Sequence, residues 1–135
     1  MSLKNLNKYN DWAPLLLRLA LGAVFIVHGA QKLFGGITGT TGFFDSVGIP
    51  LAGVFAVVVA LVEFLGGIAL VLGVLTRYAS LLLAINMLVA LLVVHLKNGF
   101  FVSNSGFEFV LVLLAGSLAL FIRGPGKIAI QKELI

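Results

Sequence analysis

No cysteine occurs anywhere in the chain. That excludes disulfides, CxxC redox pairs, iron–sulfur ligation and covalent c-type haem, and it leaves the redox compartment open. Charge is scarce as well: 10% of the 135 residues are charged, 61% are hydrophobic, and mean hydropathy is +1.18. A soluble domain of this length carries roughly a quarter charged residues. Too few polar groups remain to cover a water-facing surface, so the composition predicts the bilayer as solvent. Signatures of soluble chemistry are missing too. No nucleophile elbow, phosphate-cradling glycine loop or nucleic-acid motif is present, and Gly35-Gly36 lacks the strand and helix context of a dinucleotide fingerprint. No HxxxH, ExxH or HxxE pair stands within one helix. A haem between His28 and His95 fits in depth, but such a pair usually sits deeper, so neither metal nor haem is expected.

What is present is a succession of four apolar runs, at about residues 13–34, 51–75, 78–96 and 107–122. A helix needs about 20 apolar residues to cross about 30 Å of hydrocarbon, so each run reads as a membrane span, the fourth being short. Pro14 suits a helix start. Arg18 interrupts the apolar region that a cleaved signal peptide would need. Residues 1–12 form a polar tail lying on the membrane surface, and in the connection 35–50 Phe43, Phe44 and Val47 could share one face of a short interfacial helix. Short connections favour antiparallel neighbours, which predicts an all-α, up-down-up-down four-helix bundle forming one transmembrane domain over residues 1–135. Four spans put both termini on one side. Lys4, Lys8, Arg77, Arg123, Lys127 and Lys132 fall there, against Lys32 and Lys97 opposite, so both termini are expected in the cytoplasm. Gly66, Gly67, Gly73, Gly116 and Ser117 mark close helix packing. Asn86 reads as interhelical glue.

The charges inside the spans carry the chemistry. Arg18, Phe25, His28 and Lys32 fall on one face of the first helix. A charge at mid-bilayer costs at least about 2.5–3.5 kcal/mol, so this face should look into the bundle or a watered cavity. Glu63 stands at the middle of the second span. Centring both spans in the membrane puts Arg18 about 9 Å to the cytoplasmic side of Glu63's level and His28 about 6 Å to the other. That placement predicts a Glu63–Arg18 ion pair with His28 near the same carboxylate. Gln31, Lys32, His95 and Glu108 form a second cluster toward the outer side, where Glu108 could pair with Lys32 and also suits a helix N-terminus. Plainer roles compete: snorkelling for Lys32 and Arg18, an ordinary interfacial end for His95, a first-turn acid for Glu108. Phe100, Phe101, Phe107 and Phe109 could line a quinone-like pocket or form an aromatic belt.

These residues resemble the DoxX family, within the DoxD/DoxX-like group of small four-helix bacterial membrane proteins. The matching features are RLALGAVFIVHGAQKLFG with Arg18, His28, Gly29 and Lys32, then Gly48-Ile49-Pro50. They continue with EFLGGIALVLGVLTR, holding Glu63, Gly67, Gly73, Thr76 and Arg77, with Asn86-Met87, and with Glu108 and the closing RGPGK. The resemblance spans about residues 13–127. It implies the bacterial cytoplasmic membrane, a link through DoxD-type proteins to thiosulfate:quinone oxidoreductase, and for some members responses to oxidative or thiol stress and quinone-like compounds. Three functions follow as expectations. One is an oxidoreductase subunit handling a quinone-like or sulfur compound: Glu63, Arg18 and His28 would form the polar site, Lys32, Gln31, His95 and Glu108 would contact substrate, and a partner or cofactor such as a quinone would supply redox chemistry that no side chain here provides. The second is a small-molecule or proton-coupled transporter, which with four helices would act as a homo-oligomer. The third is a non-catalytic structural subunit. The expected surroundings are lipid and other membrane or redox subunits, with no nucleic acid.

Overall fold

The computed structural model describes residues 2–131, so Lys132 lies outside the described residues. The described chain is helical, with five α-helices: α1 Ala13–Gly35, α2 Ile37–Ser46, α3 Ala52–Leu72, α4 Thr76–Ala90 and α5 Glu108–Arg123. A 3₁₀ segment, Leu3–Trp12, precedes α1. Beyond α4 the chain continues through a π turn, Leu91–His95, and a 3₁₀ turn, Leu96–Asn98, before a loop leads to α5. Three stretches, 3–35, 52–72 and 76–98, are long and apolar enough to cross a membrane. α5, with 16 residues, is about 24 Å long, shorter than the ~30 Å of hydrocarbon a span crosses. The four long helices form the membrane bundle anticipated above, and α2 occupies the predicted connection as a regular helix.

Helix ends follow local chemistry. Pro14 sits in the first turn of α1. Gly73, at φ 68°, ends α3 three residues before the predicted boundary, its N–H reaching the Ala69 and Leu70 carbonyls. A left-handed C-cap of this kind favours glycine. The turn is so tight that α4 begins at Thr76, and it holds Leu75 in the left-handed region as well.

The deepest packing joins α1 to α3. A Cβ on Gly67 would lie 2.7 Å from the Ile26 nitrogen and 2.8 Å from the Gly22 carbonyl oxygen. Gly22 and Gly29, seven residues apart, likewise meet α3 backbone directly. Between lipid-solvated helices no hydrophobic force drives association, so backbone approach at small residues is what holds them. The core of Leu21, Phe25, Leu70, Leu83, Leu113 and Leu120 fills the bundle toward the end that carries the α3–α4 turn. Leu16, Val27, Leu61, Leu65, Val112 and Ile122 face outward, as lipid-facing side chains do. Gly67→Ala should therefore cost about 1–3 kcal/mol of unfolding free energy in detergent, because backbone cannot yield to the added methyl. Gly42→Ala on α2, where a Cβ meets nothing within 4 Å, should be neutral or mildly stabilising.

After α5 the chain turns back as a strap. Gly124 (φ 83°) and Gly126 (φ 68°) allow the reversal. Lys127 N–H donates to the Asp11 carbonyl at 2.9 Å, Ile130 N–H to Leu72 at 3.2 Å and Gln131 N–H to Gly73 at 3.0 Å. An Arg123–Asp11 ion pair joins the end of α5 to the N-terminal segment.

Candidate functional site in the half of the bundle opposite the strap

The sequence placed two clusters of charge in the bundle, and the structure divides them differently. Arg18 is fully buried and does not meet Glu63. Its Nε–H donates to the Leu70 carbonyl at 2.8 Å. One terminal nitrogen donates to Pro125 (2.7 Å) and Lys127 (3.1 Å), the other to Val71 (3.3 Å) and Ile128 (2.9 Å). Guanidinium has five N–H donors, and all five are taken by backbone carbonyls. The expected Glu63–Arg18 pair is thereby corrected. Centring each span in the membrane gave the wrong register: the Gly22–Gly67 and Gly29–Phe64 contacts slide α3 so that Glu63 faces the level of residues 29–32 of α1. Arg18 instead bolts the last turn of α3, whose terminal carbonyls have no helical partners, to the strap.

Glu63 is buried, at 4% exposure, and each of its carboxylate oxygens has one donor. Lys32 Nζ reaches Oε2 at 2.5 Å, and Asn86 Nδ2 donates to Oε1 at 3.1 Å. Lys32 therefore folds back onto the acid rather than snorkelling outward or pairing with Glu108. The cluster is charge-neutral as a pair, which makes a carboxylate tolerable at this depth. One of the three Lys32 N–H donors serves Glu63, which leaves two for a ligand.

These groups line a cavity of about 1120 Å³ between the second half of α1, α2, the first half of α3, the second half of α4 and the start of α5. His28, Gln31, Lys32, Glu63, Asn86 and His95 supply its polar wall, and Phe43, Phe44, Phe55, Val59, Phe109 and Leu113 are among its apolar ones. His28 lies beside Phe109, ring centroids 6.1 Å apart, and shares the cavity with Glu63 without a hydrogen bond to it. His95 arrives at the end of the π turn, a feature that often re-aims side chains at functional sites. Its Nδ1 lies 2.7 Å from the Ser105 carbonyl. A carbonyl only accepts, so Nδ1 carries the proton and Nε2 remains the nitrogen free for other chemistry.

Of the predicted site residues, Glu63, His28, Lys32, Gln31 and His95 come together; Arg18 and Glu108 stay outside. Glu108 opens α5 as a first-turn acid. Phe100 packs edge-on against Phe101 and Phe107 in the loop, and only Phe109 of that aromatic group reaches the cavity. Sequence reasoning undervalued Asn86, although a signal was available. The tight turn near residue 74 places Glu63 as far before it as Asn86 lies after it, so the two must face each other across the α3–α4 hairpin. The α2 phenylalanines had no such signal. Among the described residues no three His, Cys, Asp or Glu side chains gather as a metal would require.

The DoxX family model matches residues 13–96, which include α1, α2, α3 and α4 with Lys32, Glu63, Asn86 and His95. A Bacillus subtilis protein named "Putative oxidoreductase CatD" is 38% identical over 115 residues, 85% of this chain and 83% of that one. The inner membrane protein YqjF of Escherichia coli is 32% identical over 129 residues, 96% of this chain and 97% of that one. A membrane protein of Mycobacterium tuberculosis is 32% identical over 130 residues, 89% of this chain and 80% of that one. No solved structure matches the chain. A helical membrane bundle of this kind, matched by the family model over most of its length, belongs to the DoxX family, and the chain is accordingly a multi-pass inner-membrane protein.

Proposed function

We propose that this chain is the membrane subunit of an oxidoreductase and that its cavity binds a quinone-like compound. One observation carries the reading: a large, mostly apolar and aromatic cavity ends on the neutral Glu63–Lys32 pair with Asn86. Ligand pockets usually hold about 300–1,000 Å³ and combine apolar walls with a few converging polar groups. A ring compound with an apolar tail would cover the Phe43, Phe44 and Phe55 walls. A small sulfur oxyanion would leave them bare, which favours the quinone-like class of the two. The similarity to a relative named as an oxidoreductase points the same way.

A bound quinone supplies the two-electron, two-proton couple that the side chains lack. The protein's part is to orient it and manage protons. The two free N–H donors of Lys32 suit a ring carbonyl. His28 and the Nε2 of His95 put the cavity's two imidazoles in the wall, the side-chain chemistry suited to passing a proton. Glu63, held by two donors, keeps Lys32 in place. Electrons must come from a partner redox subunit. The excess of basic residues on the side of the termini supports a cytoplasmic position for both, and with it a cavity toward the outer half of the membrane.

The test is organic extraction of the full chain purified from its native membrane, together with equilibrium binding of a short-tailed quinone in nanodiscs. The expected result is about one quinone per chain and saturable binding. Val59→Trp, which fills the cavity from α3, should abolish both while the protein stays folded; it should weaken binding by about a hundredfold or more, since overpacking costs a few kcal/mol. Val112→Phe, on the lipid-facing side of α5, should change neither. No extractable quinone and no saturable binding would end this reading. Solute uptake into vesicles by the same preparation would replace it with a transporter.

A further inference from the structure

Residues 3–12 repeat with a period of three. Leu3, Leu6, Tyr9 and Trp12 fall at every third position, followed in register by Lys4, Asn7 and Asn10, and then by Asn5, Lys8 and Asp11. The segment folds as a ten-residue 3₁₀ helix, far longer than the three or four residues usual for that conformation. The match between pattern and backbone explains it. With 3.0 residues per turn, side chains three apart eclipse. The helix therefore presents one straight apolar line and two polar ones. On an α-helix, at about 100° per residue, Leu3 and Trp12 would point to opposite sides.

All four residues of the apolar line are exposed, Leu3 at 82%, Leu6 at 45%, Tyr9 at 48% and Trp12 at 41%. None of the residues in this segment is buried against the bundle. Lys4 and Lys8 flank the apolar line on its two sides, and the Lys8 ammonium lies 5.0 Å from the Tyr9 ring centroid. The segment's acid, Asp11, is already neutralised by Arg123. Among the described residues neither lysine has an acidic partner. Trp12 leads directly into α1, so the polar segment passes without a break into the first apolar helix.

We propose that residues 3–12 are an in-plane anchor that docks onto the anionic headgroups of the adjoining leaflet. Leu3, Leu6, Tyr9 and Trp12 enter the interface, where amphipathic rings are favoured, while Lys4 and Lys8 snorkel to lipid phosphates on either side. The 3₁₀ backbone is what makes both possible along the full length of about 20 Å. This surface is independent of the cavity. The Lys127–Asp11 and Arg123–Asp11 contacts fix it to the strap and to the end of α5.

The native lack of cysteine makes the test direct. Single cysteines placed in turn over residues 3–12 of the full chain carry a nitroxide. The labelled proteins are reconstituted in vesicles of phosphatidylcholine, alone or mixed with phosphatidylglycerol. In the anionic vesicles, oxygen accessibility should peak at Leu3, Leu6, Tyr9 and Trp12 and fall at every position between. The combined Lys4→Gln and Lys8→Gln substitutions should lower the seated-to-free ratio by about fivefold per lysine, with cavity binding unchanged. A repeat near 3.6, uniform exposure to a water-borne relaxant, or an equal pattern without anionic lipid would overturn the proposal. Spin–spin broadening that disappears on dilution with unlabelled protein would also overturn it, by showing a second copy of the chain as the occupant.

Discussion

Replacing Arg18 with lysine should cost about 3 kcal/mol of stability, and replacing it with methionine should cost more, because a charged donor is being removed from carbonyls at a helix end and in the strap, where Leu70 would keep only the Gly73 N–H. The guanidinium serves five carbonyls in two chain segments, Leu70 and Val71 of α3 and Pro125, Lys127 and Ile128 of the strap. Lysine keeps the charge but has three donors on a point-like group, so at least two carbonyls lose their partner. Each such loss, when buried, costs about 1–3 kcal/mol, and within a membrane no water replaces the donor. The dipole at the C-terminus of α3 adds to the attraction that methionine forfeits. Unfolding in detergent measures the loss. Limited proteolysis near Lys127 should show the strap released first. The fraction that stays folded should bind ligand as the unsubstituted protein does, because Arg18 is remote from Glu63. Arg77→Lys is the control: Arg77 also caps a helix end, donating to the Phe121 and Ile122 carbonyls, but it is only half-buried, at exposed carbonyls where water can take its place. An Arg18→Lys protein as stable as the Arg77→Lys one would sink this account.

The four spans are legible in the sequence because lipid leaves little choice: a long apolar run must form a helix there to satisfy its own backbone. Their ends are legible to within a few residues where a local signal exists, as with Pro14 and Gly73. The chemistry of the spans is legible in kind. Glu63 and Lys32 are too costly in lipid to be incidental, and both prove to line the cavity. What fails is the pairing. Which residue of α1 faces Glu63 depends on how far α3 slides along it, and the connection through α2 is too long to set that. Gly22, Gly29 and Gly67 set it instead, through backbone contacts whose partners no single sequence names. The α3–α4 hairpin is the opposite case, since its tight turn specifies the Glu63–Asn86 register by counting. The role of Arg18 was hidden for another reason. Its partners are backbone carbonyls, and a carbonyl left over at a helix end or in a glycine-rich strap has no residue-type signature.

Glu63→Gln should be the most damaging single change in the cavity, and its effect should divide into a stability part and a binding part. Glutamine is nearly isosteric and its oxygen can still accept from Asn86, so the loss falls on Lys32. Breaking a buried pair by removing one partner costs about 3–5 kcal/mol, and since the Lys32 side chain remains 23% exposed the expected loss is nearer 2 kcal/mol. Asp45→Asn, on the exposed surface of α2, should stay within about 0.5 kcal/mol. Lys32→Met added to Glu63→Gln removes the stranded charge, so the double variant should recover most of the stability and the cycle should show a coupling of about 1–3 kcal/mol. Quinone binding should not recover with it, because both the ammonium donors and the carboxylate that positions them are then gone. Chemical denaturation and equilibrium binding on the four proteins of the cycle separate the two parts. If Glu63→Gln proves as mild as Asp45→Asn in both measurements, the ion pair is not what shapes this cavity. If the double variant regains stability and binding together, the pair organises the bundle without touching the ligand, and the cavity's recognition must lie with His28, Gln31 and His95.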